Sequence, residues 1–243
     1  MFRIVPVAGL IVVLICSPAE SQHLDGGFGY GYFGAAWNIS PDIQQDIENR
    51  AFLGPGFSFD LPGRLLGGGG YGLFYNRMLL GGSGFAYRIS GATNRGEATL
   101  SQGGGFVNIG YITLLKDNIF GFPYVGIGGY SINLRLKNYT SDESFELGNQ
   151  LVEPGGYMDL TTRGISIEAG YSLKFLTFSL AGPGSRGGFM IGVQVGTFIS
   201  AFNSGWNEEN TGDEIAMLSK PGTFAPYLRV TIGGGGFHYE GSD

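Results

Sequence analysis

The sequence predicts an all-β chain: a closed antiparallel up-and-down transmembrane β-barrel of eight strands. Three observations predict it. The first is the stretch from Thr162 to Phe178, where Ile165, Ile167, Ala169, Tyr171, Leu173 and Phe175 alternate with Ser166, Glu168, Gly170, Ser172 and Lys174. Strand side chains point to opposite faces in turn, so this is one strand with an apolar face and a polar face. A globular strand averages roughly 5–6 residues, whereas a tilted strand that crosses a bilayer needs about 9–11, and this stretch fills the longer requirement. The second observation is that short and long links alternate between the strand-like segments. The third is that no later stretch has the ~18 uninterrupted apolar residues of a membrane helix. The predicted orientation turns the apolar row to lipid and encloses Glu168 and Lys174.

Composition bounds the chain as one large all-β domain. Glycine supplies 46 of 243 residues, well above the usual ~7%. Disorder does not explain it, because disordered chains are poor in aromatics and this one has 19 Phe, 13 Tyr and 2 Trp. Glycine instead alternates with aromatics, as in Gly27-Phe28-Gly29-Tyr30-Gly31-Tyr32, a pattern suited to curved sheet and close backbone approach. The net charge of −6 excludes a broadly basic nucleic-acid binder.

Residues 1–21 read as a secretory signal peptide and 22–243 as the barrel. Arg3 is followed by an apolar run from Ile4 to Ile15, then Ser17-Pro18-Ala19-Glu20-Ser21, with cleavage after Ala19 or Ser21. A membrane-anchor helix needs a longer run. A lipoprotein signal needs a small residue before Cys16, and Ile15 is not small. Cys16 is the single cysteine, so the exported part is expected to rely on hydrogen bonding and burial rather than disulfides.

Eight strands are predicted at 26–37, 64–75, 78–90, 98–115, 119–137, 161–178, 187–202 and 223–239. The first link is long, with a short helix expected where Ser40 caps, Pro41 opens and Asp42 to Glu48 continues. The second is the tight Asn76-Arg77, the third is moderate, and the fourth is Lys116-Asp117-Asn118. The fifth is long, the sixth is short around Pro183-Gly184, and the seventh is long. Short turns at one end and long loops at the other are the pattern of outer-membrane barrels, with turns periplasmic and loops extracellular. In 187–202, Phe189, Ile191, Val193, Val195, Thr197 and Ile199 are read as lipid-facing. Val107, Ile109 and Tyr111 are read likewise, as are Tyr130, Ile132, Leu134 and Leu136. Pro123 lacks a ladder donor, so a bulge is expected near it. Phe28, Tyr30, Phe74, Tyr75, Phe120, Phe122, Tyr124, Phe175, Phe178, Phe189, Phe237 and Tyr239 fall at the turn end, where they predict an aromatic girdle.

With these features the chain resembles the small eight-stranded outer-membrane barrels of Gram-negative bacteria, the class that contains the OmpA membrane domain, OmpX and OmpW. The resemblance implies a cell outer-membrane location, surrounding membrane lipids, insertion by the barrel-assembly machinery and a monomer. It also implies a C-terminal assembly signal, matched by Gly234, Phe237 and Tyr239. The chain departs from that signal in the trailing Glu240 to Asp243 and in Ile232, where a polar residue is common.

An eight-stranded interior is filled by side chains, so a wide pore is not expected. Arg88, Arg135, Glu168, Lys174 and Arg229 are read as an interior polar network. Buried charge must be paired, so the network either holds the barrel rigid or forms an anion-binding constriction. Acidic residues crowd the long loops: Asp42, Asp46, Glu48 and Asp60; Asp142, Glu143, Glu146, Glu153 and Asp159; Glu208, Glu209, Asp213 and Glu214. They suit calcium or a cationic extracellular partner, or are simply solvated, and no spacing matches an EF-hand. No cofactor or metal site is expected: Gly67 to Gly72 fits G-x-G-x-x-G only because glycine is so abundant, and no Cys or His cluster offers zinc ligands. The expected function is non-enzymatic: structural, surface-interacting, or passing small hydrophobic molecules. Two alternatives remain. One is a barrel enzyme that modifies envelope lipids, with His238 beside Tyr239 and Glu240 as the candidate. The other is a soluble secreted β-barrel with inverted faces that binds a small apolar ligand.

Overall fold

The computed structural model describes residues 23–37, 41–50, 53, 56–75, 77–116, 118–147, 150–179, 185–209, 215, 219 and 224–240. The signal-peptide reading of 1–21 lies outside them. The elements are β1 (His23–Ala36), α1 (Pro41–Arg50), β2 (Gly63–Tyr75), β3 (Met78–Ala92), β4 (Gly96–Tyr111), β5 (Leu114–Lys116) and β6 (Ile119–Asn138). They continue with β7 (Phe145–Leu147), β8 (Gln150–Val152), β9 (Tyr157–Ser179), β10 (Ser185–Asn203), β11 (Asn207–Glu208) and β12 (Phe224–Glu240).

Each long strand pairs antiparallel with its neighbour in the order β1-β2-β3-β4-β6-β9-β10-β12, and β12 returns to β1 from His23↔Glu240 to Ala36↔Tyr227. Among the described residues this is a closed eight-stranded meander, with no edge along its ring. The shorter β5 adds to β6 at the turn end and β11 to β9 at the loop end, while β7 and β8 form a hairpin of their own. One register row runs from Gly29 through Gly70, Gly82, Val107, Ile127, Ile167 and Ile199 to Phe224, at the opposite end of its strand from the row's start in the barrel. That climb is the stagger a tilted closed barrel requires.

The interior is filled at three levels. At the turn end Phe28, Tyr30, Tyr71, Phe120, Phe122, Tyr124 and Phe237 are buried together. Their ring centroids approach to 5.0 Å for Phe120–Phe237, 5.3 Å for Phe28–Phe120 and 5.2 Å for Tyr71–Phe122, mostly tilted or edge-on. The middle level is polar and charged. At the loop end Ile89, Leu100, Ile132, Leu134, Leu136 and Leu160 form an apolar core, and Ile43 and Ile47 of α1 are buried with Phe57, Phe59 and Trp206.

Two expectations about facing are corrected. Phe28, Tyr30, Phe120, Phe122, Tyr124 and Phe237 form an internal plug rather than an external girdle, while Phe74, Phe175 and Phe189 do face outward. The side chains of Tyr75, Phe178 and Tyr239 are outside the described set. The physical reason is parity: in β1 the rings share one face and Gly27, Gly29 and Gly31 the other, and only the rings can fill a narrow interior. In β6, Ile132, Leu134 and Leu136 are buried inside and Ser131, Arg135 and Lys137 lie outside. The register of β6 runs unbroken against β9 past Pro123, but on its other edge Gly110 pairs with Tyr124 and Leu114 with Gly121, so three residues face two and the expected bulge lies opposite Pro123. The outer row simply changes from Val125 and Ile127 to polar residues as the strand rises beyond the apolar band.

Several glycines on the inward rows leave room for a ring from the next strand. A Cβ on Gly104 would lie 2.8 Å from the Phe85 ring, and one on Gly170 would lie 2.8 Å from the Tyr124 hydroxyl. Outward Gly84 and Gly103 would meet nothing nearer than 3.6 and 3.7 Å. Gly104→Val is therefore expected to abolish the heat-sensitive gel shift of the closed barrel, and Gly84→Val to preserve it. Equal behaviour of the two variants would contradict the packing described.

Candidate functional site

The middle level is built from facing strands. Glu168 of β9 and Arg229 of β12 are fully buried, with Arg229 Nη1 2.9 Å from Glu168 Oε1. The Tyr227 hydroxyl donates to the same oxygen at 2.7 Å, and the Ser83 hydroxyl donates to Oε2 at 3.3 Å. Asn108 Nδ2 donates to Ser83 Oγ at 2.9 Å, and the Tyr124 and Tyr227 hydroxyls are 2.6 Å apart. The Arg229 guanidinium stacks on the rings of Tyr227 and Tyr32, with centroids at 3.7 and 4.3 Å. A planar, weakly hydrated cation suits such a slot better than an ammonium does.

Lys174 lies closer to the plug. Its Nζ donates to Thr231 Oγ1 at 2.6 Å and sits 4.0 Å from the Tyr30 ring centroid. No described carboxylate pairs with it, so the hydroxyl and the ring faces are what replace water around its charge.

Of the residues expected to form one interior network, Glu168, Lys174 and Arg229 are buried in the barrel, whereas Arg88 and Arg135 are on its outer surface. Arg135 makes a two-pronged pair with Asp159, with Nε–Oδ1 and Nη2–Oδ2 both at 2.7 Å. The correction has the same cause as in β6: above the apolar band the outward row is the polar one. Tyr32, Tyr227, Ser83 and Asn108 were not singled out as site residues by sequence, and Tyr124 was read only as part of the aromatic girdle. The signal for Tyr32 was its alternation with glycine, and for Tyr124, Tyr227, Ser83 and Asn108 there was only their parity along the strand.

The other candidates are dispersed. In the assembly signal Gly234 faces outward and Phe237 is buried in the plug. Exposed His238 is the register partner of Asp25 on β1 and of Ser185 on β10. Acidic residues anchor loop-end segments: Asp46 accepts from Ser219 N at 2.8 Å, Glu48 from Gly56 N at 3.1 Å, and Glu209 from Asn133 Nδ2 at 3.1 Å. Among the described residues no three His, Cys, Asp or Glu side chains converge to hold a metal ion.

The closed eight-stranded barrel with a filled interior is consistent with the class that the sequence resembles. No protein-family model matches the chain, and no curated protein matches its sequence. Among solved structures, the attachment invasion locus protein Ail of Yersinia pestis is 11% identical, covers 90% of this chain and 99% of its own, and has a TM-score of 0.41. The outer membrane protease OmpT from Escherichia coli is 10% identical, covers 91% and 99%, and has a TM-score of 0.33. Likeness at this level carries no inference about function.

Removing one partner of a buried ion pair leaves the other charge uncompensated, at a cost of about 3–5 kcal/mol. Arg229→Met is expected to lower the unfolding midpoint in guanidinium chloride accordingly, and Glu168→Gln with Arg229→Met to recover most of the loss. A wild-type midpoint for Arg229→Met alone would contradict the pairing.

Proposed function

We propose that the chain is an integral outer-membrane protein whose sealed barrel has a structural or surface-interaction role without catalysis. The observation that carries this reading is the outer wall. Ile109, Val125, Ile127, Ile167, Ile191, Val193, Val195 and Ile232 are exposed on consecutive strands, while Glu168, Lys174 and Arg229 are enclosed. Soluble monomers rarely expose contiguous apolar patches above a few hundred Å², and a lipid-facing wall explains both faces at once. The three filled levels favour a sealed barrel over one that passes small hydrophobic molecules. Asp142, Glu143 and Glu153 are exposed at the loop end and fit a cationic extracellular partner. Membrane lipids, the assembly machinery and a monomeric state belong to this same reading.

The expected outcome of cell fractionation is a chain that stays in the membrane pellet after an alkaline wash and migrates faster on gels before boiling than after. Recovery as a soluble monomer would overturn the proposal. In planar bilayers the purified barrel is expected to give no steady conductance, and a stable open level would contradict a sealed interior.

A second reading, an enzyme acting on envelope lipids, draws on the row Asp25–His238–Ser185. Asp25 and Ser185 are the register partners of His238 on the two flanking strands, the order that a carboxylate, base and nucleophile would need. Release of fatty acid from phospholipid micelles that is lost in Ser185→Ala would favour it. Release that is absent, or unchanged in the variant, removes it.

A further inference from the structure

On the outer wall, at the upper border of the apolar band, lies a groove of about 570 Å³ lined in part by Arg64, Leu66, Arg88, Gly103, Ser131 and Asn133. Arg64 and Arg88 are direct register partners on β2 and β3, and both are exposed. Like charges placed opposite each other across a strand pair are destabilising, and here no described carboxylate forms an ion pair with either. Glu97, at the next groove beyond Arg88, is occupied: its carboxylate accepts from the Tyr139 hydroxyl at 2.6 Å and from Thr99 Oγ1 at 2.9 Å. The nearby Asp159 is held by Arg135. Glu97 and Glu209 share that neighbouring groove with Arg88 and keep their negative charge, but neither forms an ion pair with it, so the two guanidiniums stand side by side with donors unspent on any described carboxylate.

Below them the wall lacks side chains. The register row beneath Leu66, Ala86, Gly103 and Ser131 is Gly68, Gly84, Gly105 and Gly129, and the next includes Gly82, Val107 and Ile127. A Cβ on Gly84, Gly103 or Gly129 would meet nothing nearer than 3.6, 3.7 and 3.9 Å. The barrel's own packing does not require glycine at these positions, unlike its inward rows. The wall thus offers a flat apolar strip running down from a paired cation.

We propose that this face of β2, β3 and β4 docks one phosphate-bearing lipid of the surrounding membrane. Arg64 and Arg88 hold its headgroup, and its chains lie along Gly84, Gly103 and Gly105. Charge complementarity selects an anion, the guanidinium fork suits phosphate, and the strip below the arginines selects a lipid over a free anion. The inference rests on the membrane-spanning reading. A barrel that fractionates with membranes yet shows no lipid preference loses this site alone, whereas a soluble chain loses both.

The test is native mass spectrometry of the detergent-purified barrel, with phosphatidic acid and phosphatidylcholine of identical chains as probes. The expected result is retention of one phosphatidic acid in preference to phosphatidylcholine. Arg64→Gln with Arg88→Gln is expected to weaken retention roughly tenfold or more, and Gly84→Leu with Gly103→Leu to weaken it with both arginines intact. Arg135→Gln, away from the strip, should leave it unchanged. Folding of each variant is checked by its heat-sensitive gel migration. If the glutamine pair does not fold, Arg64→Lys with Arg88→Lys, which keeps charge but loses the fork, should show a smaller loss. Unchanged retention in the arginine variants, or no preference between the two lipids, would overturn the site. Inorganic phosphate binding with the same arginine dependence, and no effect of the leucine variants, would overturn the lipid assignment.

Discussion

Eight strands enclose a space no wider than the side chains that fill it, and this narrowness governs the rest of the structure. A large ring can enter only where the neighbouring strand yields its own side chain. Tyr71 therefore lies against Gly81, Phe85 against Gly104, and Tyr124 against Gly170. The abundance of glycine is thus tied to the abundance of aromatics. Together they make an aromatic plug at the turn end.

The same narrowness sets the terms for charge. Arg229 and Glu168 meet where water is scarce, so each ionised atom must find a protein partner. Tyr227, Ser83 and two aromatic faces supply most of these partners, and Arg229 Nε is left without a hydrogen bond. Three strands contribute to Glu168 and the groups that hold it, so the pair ties separate parts of the wall together across the lumen. Buried pairs of this kind are poor sources of net stability. What this one supplies is a defined relation between β3, β9 and β12, which an all-apolar middle level would leave less specified.

Much of the fold was legible in the sequence because period-two alternation survives any context. The predicted strands 64–75 and 119–137 differ from β2 and β6 by a single residue at one end, and the rows of β9 and β10 face as expected. What could not be read was the sign of the alternation where the surroundings change. Along β6 one outward row runs from Val125 and Ile127 to Arg135 and Lys137, so assigning apolar residues to lipid throughout inverted the upper half. Arg88 was misplaced for a related reason: Gly81, Gly82 and Gly84 leave β3 with little pattern to phase. The plug was hidden because aromatics at a barrel end satisfy two descriptions, an external belt and an internal stopper. Only the glycines on the opposite parity separate them.

Along the outer row of β6 the side chains pass from apolar to charged, and labels on that row report the surroundings at each end. Fluorophores at Ile127→Cys and Lys137→Cys share one strand and one parity. In vesicles, the account predicts that the label at 127 is quenched by nitroxide-bearing lipid and shielded from aqueous iodide, while the label at 137 shows the reverse. Iodide reaching both positions equally, with no quenching from lipid, would contradict it.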